Sequence, residues 1–174
     1  MRRPIYLLTF AGCLLLLFTL TKGVDAQSSI NIVVLHQGDY ADQLTRKQIR
    51  VITSAQEYAA ALSTYTAEAP QPVDFTVGQV LLVDMGPRPS AGFSIQTILL
   101  DEQIKGAVRI GVQINKPGRN CATATVITNP YQFVYIPTKR EILVAETLNR
   151  YECLSPSAKT ETASDTCQKN RRLN

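Results

Sequence analysis

The chain has 174 residues, and its 18 basic and 14 acidic side chains give a formal net charge of +4. Such a small basic excess predicts no nucleic-acid partner. His36 is the single histidine and no cysteine pair has the spacing of a zinc site, so we expect no metal and no cofactor.

The N-terminus has the pattern of a secretory signal. Arg2 and Arg3 precede an apolar run over residues 5–20, and Ala26 is the expected cleavage point. These 16 residues are too few to cross a bilayer, which needs roughly 20, so we expect an exported protein, periplasmic or secreted, without a membrane span. Cys13 follows Ala-Gly as in a lipoprotein signal, but the apolar residues that follow it disfavour a lipid anchor.

Three regions are predicted along the chain. Residues 1–26 are the signal peptide, residues 27–153 are a single β-rich domain, and residues 154–174 are a polar, flexible tail. Removing residues 1–26 leaves 148 residues with a formal charge of +2, which is enough chain for one domain with its own core.

The first half of the domain predicts two strands and a helix. Residues 30–35 predict a strand, and residues 48–52 a weaker one. Ser54 and Glu57 have the spacing of a capping box at the start of a helix. An apolar stripe at helical spacing follows, and two prolines end it: Tyr58, Ala61, Leu62, Tyr65, then Pro70 and Pro72.

The second half predicts strands only. Residues 80–83 are continuously apolar, which favours a central strand covered on both faces, whereas residues 108–115 alternate and predict one exposed face. Further strands are predicted at residues 93–100, 122–127, 131–136 and 142–148. We therefore predict an α+β fold, mostly antiparallel β, sandwich-like or a curled meander, with one helix packed on the sheet.

An antiparallel meander alternates its connections between the two ends of the sheet. Counting in this way places loops 86–92, 116–120 and 137–140 at one end, where Lys116 and several other basic residues would cluster. The alternative is that these are ordinary surface charges. We predict a partner-binding surface formed by Arg88, Ser90, Arg119, Lys139 and Arg140.

The same count bears on the cysteines. Three remain after cleavage, an odd number in a compartment that permits disulfides. Alternation places Cys121 and Cys153 at opposite ends of the sheet, beyond bridging distance. We therefore predict a disulfide between Cys153 and Cys167, with Cys121 left as a free or intermolecular thiol.

Five short motifs together resemble a known family. They are Val-Asp-Phe at residues 73–75, Gly-Pro-Arg-Pro-Ser-Ala-Gly-Phe-Ser-Ile at 86–95, Pro-Gly-Arg-Asn-Cys at 117–121, Thr-Asn-Pro-Tyr at 128–131 and Ile-Pro at 136–137. Residues 51–144 are similar to the C-terminal domain of the protease complex subunit PrcB family of bacterial exported proteins. Phe93, where the family more usually has tyrosine, and the polar tail depart from the pattern. The resemblance implies a noncatalytic accessory subunit that associates with an exported protease, with a suggested role in its maturation or stability.

Four motif residues also have a structural interpretation. Gly92 is expected to supply a backbone geometry that residues with a Cβ resist, placing Phe93 in the core. Pro130 is expected to form a tight reversal with the preceding asparagine, and Tyr131 to pack beside it.

Two other functions compete with this reading. Residues 89–93, Pro-Ser-Ala-Gly-Phe, resemble a loop of chagasin-type cysteine protease inhibitors, which present three loops from one end of a β-sandwich; the chain has no tryptophan for such a loop. The weaker alternative is an enzyme with a Cys121 thiolate activated by His36. Asp84, Asp101 and Glu102 are better explained by a strand end and a turn. We therefore predict no catalytic residues.

Overall fold

The computed structural model describes residues 29–153. The predicted signal peptide, Cys13, the C-terminal tail and Cys167 lie outside this range. Within it the chain forms seven strands and one helix, in the order β1 (Val33–Gly38), β2 (Gln48–Ile52), α1 (Ala55–Leu62), β3 (Gln79–Asp84), β4 (Ser94–Asp101), β5 (Ala107–Pro117), β6 (Tyr131–Ile136) and β7 (Glu141–Tyr151).

The strands form two sheets. The first sheet has the order β1-β6-β3-β2 and is antiparallel throughout. The second sheet has the order β4-β5-β7, in which β4 is antiparallel to β5 but β7 runs parallel to it. The predicted α+β fold, dominated by antiparallel strands with one helix, is confirmed.

The first sheet is covered on both faces, by α1 on one side and by the second sheet on the other. Leu82 and Phe133 face the helix side, whereas Leu81, Val134 and Ile110 pack between the sheets. All six residues of β3 are buried, so the prediction of a central strand covered on both faces is confirmed.

Helix α1 begins where the capping sequence predicts. Ser54 has an extended backbone, and its Oγ accepts a hydrogen bond from the Glu57 amide at 3.2 Å. The apolar stripe of Tyr58, Ala61 and Leu62 is buried against the first sheet, and the helix ends at Leu62. Tyr65 follows the helix and is also buried.

Residues 122–127 do not form the predicted strand. Both edges of β5 are already paired, with β4 and β7, so these residues cannot turn back and pair with the strand they leave. The segment runs as a largely exposed loop, with an isolated bridge from Thr128 to Arg88 at its end.

Because residues 122–127 are a loop and not a strand, each later strand runs in the direction opposite to the predicted one. Three connections meet at the end of the sandwich where β3 ends, which we call the loop end: residues 39–47, 85–93 and 118–130. Residues 137–140 lie at the opposite end, because Ile136 is paired with Gln79 at the start of β3.

No helix within residues 29–153 is long and apolar enough to cross a membrane.

Candidate functional site

A groove of about 530 Å³ opens at the loop end, and we call it the loop-end groove. Its apolar lining includes Phe93, Ile114 and Leu148. Its charged and polar lining consists of Lys47, Arg88, Ser90, Lys116, Thr123 and Glu146. This mixture of apolar floor and cationic rim is typical of a surface that binds another molecule.

The groove exists because β5 and β7 are longer than the strands opposite them. Both have 11 residues, whereas β3 and β6 have six. The last residues of β5 and β7 therefore have side chains on the inner face of the sheet with no strand of the first sheet against them. Leu148, paired in register with Ile114, is 67% exposed as a result.

Arg88 is held in position on the wall of the groove. Its amide donates to the Thr128 carbonyl at 2.7 Å, and the Thr128 amide returns a bond to the Arg88 carbonyl at 3.0 Å. The guanidinium donates to the Met85 carbonyl and lies 5.8 Å from the centre of the Phe93 ring, within reach of a cation–π interaction. Phe93 is only half-buried and lines the groove, so its predicted place in the core is wrong.

Gly92 shapes the turn that leads into β4. Its φ of 89° lies in the left-handed region that favours glycine. The Tyr151 hydroxyl donates to the Gly92 carbonyl at 2.9 Å, and a Cβ on Gly92 would lie 2.9 Å from that hydroxyl oxygen. The end of β7 therefore packs directly against the loop that forms one wall of the groove.

A buried carboxylate joins the three loops of this end. Asp84, at the end of β3, is fully buried. It accepts hydrogen bonds from the Gly86 amide at 2.7 Å, Asn129 Nδ2 at 3.3 Å, Tyr65 Oη at 2.6 Å and Thr45 Oγ1. Since Thr45, Gly86 and Asn129 each belong to a different loop, Asp84 acts as a positioning residue for the whole loop end.

Tyr65 completes this network from the helix side. Burial, reinforced by the hydrogen bond to the Asp84 carboxylate, raises the pKa of Tyr65 to about 12. The ring of Tyr65 packs on Tyr131 with 4.8 Å between centroids, and the carbonyl of Pro130 accepts from the Met85 amide at 3.0 Å. Pro130 and Tyr131 are both buried, and they connect β6 to the loop end.

Cys121 forms a disulfide with Cys153, and their Cα atoms are 5.0 Å apart. The predicted Cys153–Cys167 pair and the free thiol at Cys121 are therefore wrong. The prediction assumed that β7 ran antiparallel to its neighbours, whereas β5 and β7 are parallel and both end beside this bridge, with Pro117 in register with Tyr151.

The predicted contact residues divide between the two ends. Arg88 and Ser90 line the loop-end groove, and Arg119 is exposed next to its lining residue Gly118. Lys139 and Arg140 lie at the opposite end, where Lys139 Nζ donates to the Phe75 carbonyl and Arg140 donates to the Glu102 carbonyl. The prediction of a single basic surface formed by all five residues is therefore wrong, because Lys139 and Arg140 lie at the other end of the sheets from the loop-end groove.

Sequence reasoning missed the far side of the groove. Lys47, just before β2, forms an ion pair with Glu146 of β7, and Leu148 lies on the same face of that strand. Alternation along β7 could have placed residues 146, 148 and 150 on one face. Nothing local in the sequence could have brought Lys47 to them, because 99 residues separate it from Glu146.

The hypothetical nucleophile and base do not meet. His36 is buried on the helix side of the first sheet, where its Nδ1 lies 2.9 Å from Glu68 Oε2, and its ring packs edge-on to Phe133. Cys121 is at the loop end and has no thiolate while it is in a disulfide. Within residues 29–153, no three His, Cys, Asp or Glu side chains form a group that could hold a metal ion.

These features define a class of protein: a two-sheet β domain with a helix on its outer side and a groove built from loops at one end. Residues 79–137 match the family described as PrcB C-terminal, which confirms the resemblance over these residues. The match runs from the first residue of β3 to just beyond the last residue of β6, so it includes two of the three loops of the loop end. No match was found among curated proteins, nor among solved structures.

Proposed function

We propose that the protein is an exported, noncatalytic accessory domain that binds an exported protease through its loop-end groove. The observation that carries the proposal is the place of the family match. Arg88, Ser90, Phe93, Ile114 and Lys116 all lie within the matched residues and all line the groove. The family resemblance suggests that the partner is an exported protease. The groove, with apolar and basic side chains, is a surface that could bind it.

Export is supported by the basic N-terminus, the apolar run over residues 5–20 and the small-residue cleavage point at Ala26. A disulfide between Cys121 and Cys153 is in keeping with an oxidising compartment. A noncatalytic role is supported by the separation of Cys121 from His36 and by the structural hydrogen bonds that occupy Asp84.

The proposal is tested by affinity capture from the envelope fraction of cells that express the full chain. The test variant carries Lys116→Glu, Arg119→Glu and Arg150→Glu, and the control carries Lys105→Glu, Arg109→Glu and Lys139→Glu, which change the charge equally but lie away from the groove. We expect the wild type and the control to recover the same protease and the test variant to lose it. Recovery of no protease by the wild type, or equal recovery by all three, contradicts the proposal.

The geometry also favours a second candidate, the chagasin-like inhibitor, because three loops do meet at one end of the two-sheet domain. The recovered protease separates the two functions. An accessory subunit leaves its activity unchanged or raises it, whereas an inhibitor lowers it in proportion to the amount bound.

A further inference from the structure

We propose that the segment of the partner that binds in the loop-end groove is an acidic peptide with an apolar anchor residue. This proposal rests on the proposed function and specifies the chemistry of the contact. The groove combines a partly exposed apolar floor with an excess of positive charge.

The apolar floor of the groove is partly exposed to solvent. Leu148 is 67% exposed beside Ile114, and Phe93 is half-buried on the adjoining wall. Covering such a set of side chains removes apolar surface from water, and a single buried aliphatic or aromatic anchor is the usual centre of a peptide-binding site. The proposed anchor residue packs among these three side chains.

The charges around this floor are mostly positive. Glu146 neutralises Lys47, but no carboxylate within residues 29–153 forms a salt bridge with Arg88, Lys116, Arg119 or Arg150. Arg150 is the register partner of Lys116, which places two cations side by side on one face of the sheet. Glu152, against Gly118, is the other acidic residue here, so basic side chains remain in excess. Carboxylates of a partner would relieve the mutual repulsion of these cations.

The groove suits peptide carboxylates better than a polyphosphate. Nucleic acids are bound by continuous basic stripes, whereas the cations here surround an apolar floor that includes Phe93 and Leu148. The chain's own residues 154–174 are a poor occupant, because they contain four basic residues and only two acidic ones.

The experiment titrates the isotope-labelled full chain with two blocked octapeptides, one of alternating Glu and Leu and one in which Gln replaces Glu. We expect the acidic peptide to shift the amide signals of residues 88–93, 114–118 and 146–148, to bind about tenfold more tightly than the Gln peptide, and to weaken as salt is raised. The Lys116→Glu, Arg119→Glu, Arg150→Glu variant should lose binding about tenfold, and the Lys105→Glu, Arg109→Glu, Lys139→Glu control should keep it.

Equal binding of both peptides, shifts confined to another surface, or no binding overturns the proposal. Groove signals that move on dilution of the free protein assign the groove to a second copy of the chain, and signals that move on deletion of residues 154–174 assign it to the tail; either result also overturns it. Capture of the protease by a protein that does not bind the acidic peptide refutes this inference alone. Acidic-peptide binding without capture of any protease refutes the proposed function instead.

Discussion

Two features disfavour a side chain at Gly92: its left-handed backbone and the Tyr151 hydroxyl beside it. Substitutions can measure the two effects separately. Gly92→Ala should lower the free energy of unfolding by about 1–2 kcal/mol because of the left-handed backbone. Displacing the Tyr151 hydroxyl should lower it by about 1 kcal/mol more. Gly106→Ala is the matched control, because Gly106 has a φ of 77° but no atom within 4 Å of an added Cβ. Urea denaturation of both variants measures the difference, and equal losses would contradict the role given to Tyr151.

Tyr65 gives the free energy of unfolding a dependence on alkaline pH. Its pKa of about 12 lies above the value of roughly 10 expected in the unfolded chain, so folding favours the protonated phenol. Its contribution is complete below pH of about 10 and is lost as the pH rises through about 12.

Tyr65→Phe should therefore lower the free energy of unfolding by about 1–2 kcal/mol at neutral pH, because the hydrogen bond to Asp84 is lost. In this variant the free energy of unfolding should also decline less as the pH rises from about 10 to about 12. Tyr40→Phe, at an exposed tyrosine, is the control. Denaturant titrations at several pH values provide the measurement, and an unchanged slope in Tyr65→Phe would contradict the assignment.

The local signals for individual elements were strong, and most of the elements were predicted from the sequence. Ser54 and Glu57 located the start of α1, and the apolar run at residues 80–83 located β3. Residues 122–127 have the composition of a strand, but they follow β5, whose two edges are already paired with β4 and β7. Sheet pairing is a tertiary property that a strand's own composition does not encode.

The wrongly predicted strand at residues 122–127 also made the predicted disulfide wrong. The strands β5 and β7 are parallel, so their ends lie together and bring Cys121 next to Cys153. Non-reducing peptide mapping of the full chain should recover a peptide that links these two cysteines. Cys167→Ser should leave the link and the stability unchanged, whereas Cys121→Ser should cost about 3 kcal/mol for a bridge that spans 32 residues. A link from Cys153 to Cys167 would contradict the fold.

At the scale of the whole molecule, the sequence predicts one wall of the candidate site but not the other. Counting the connections places Arg88 and Ser90 at the loop end correctly, because their loop precedes residues 122–127 in the chain. The site's other wall comes from Lys47 and from β7, which reach it only through the packing of the two sheets. Lys139 and Arg140 were misplaced because one missing strand reverses the assigned end of every later loop.

The central claim is that the protein binds an exported protease through the loop-end groove, and site-specific photo-crosslinking tests it most directly. A photoreactive residue replaces Ser90 inside the groove in one full-length variant and Lys139 at the opposite end in another, each expressed in its native cells. We predict a crosslinked protease from position 90 and none from position 139. A protease adduct from position 139 alone, or adducts of equal yield from both positions, would contradict it.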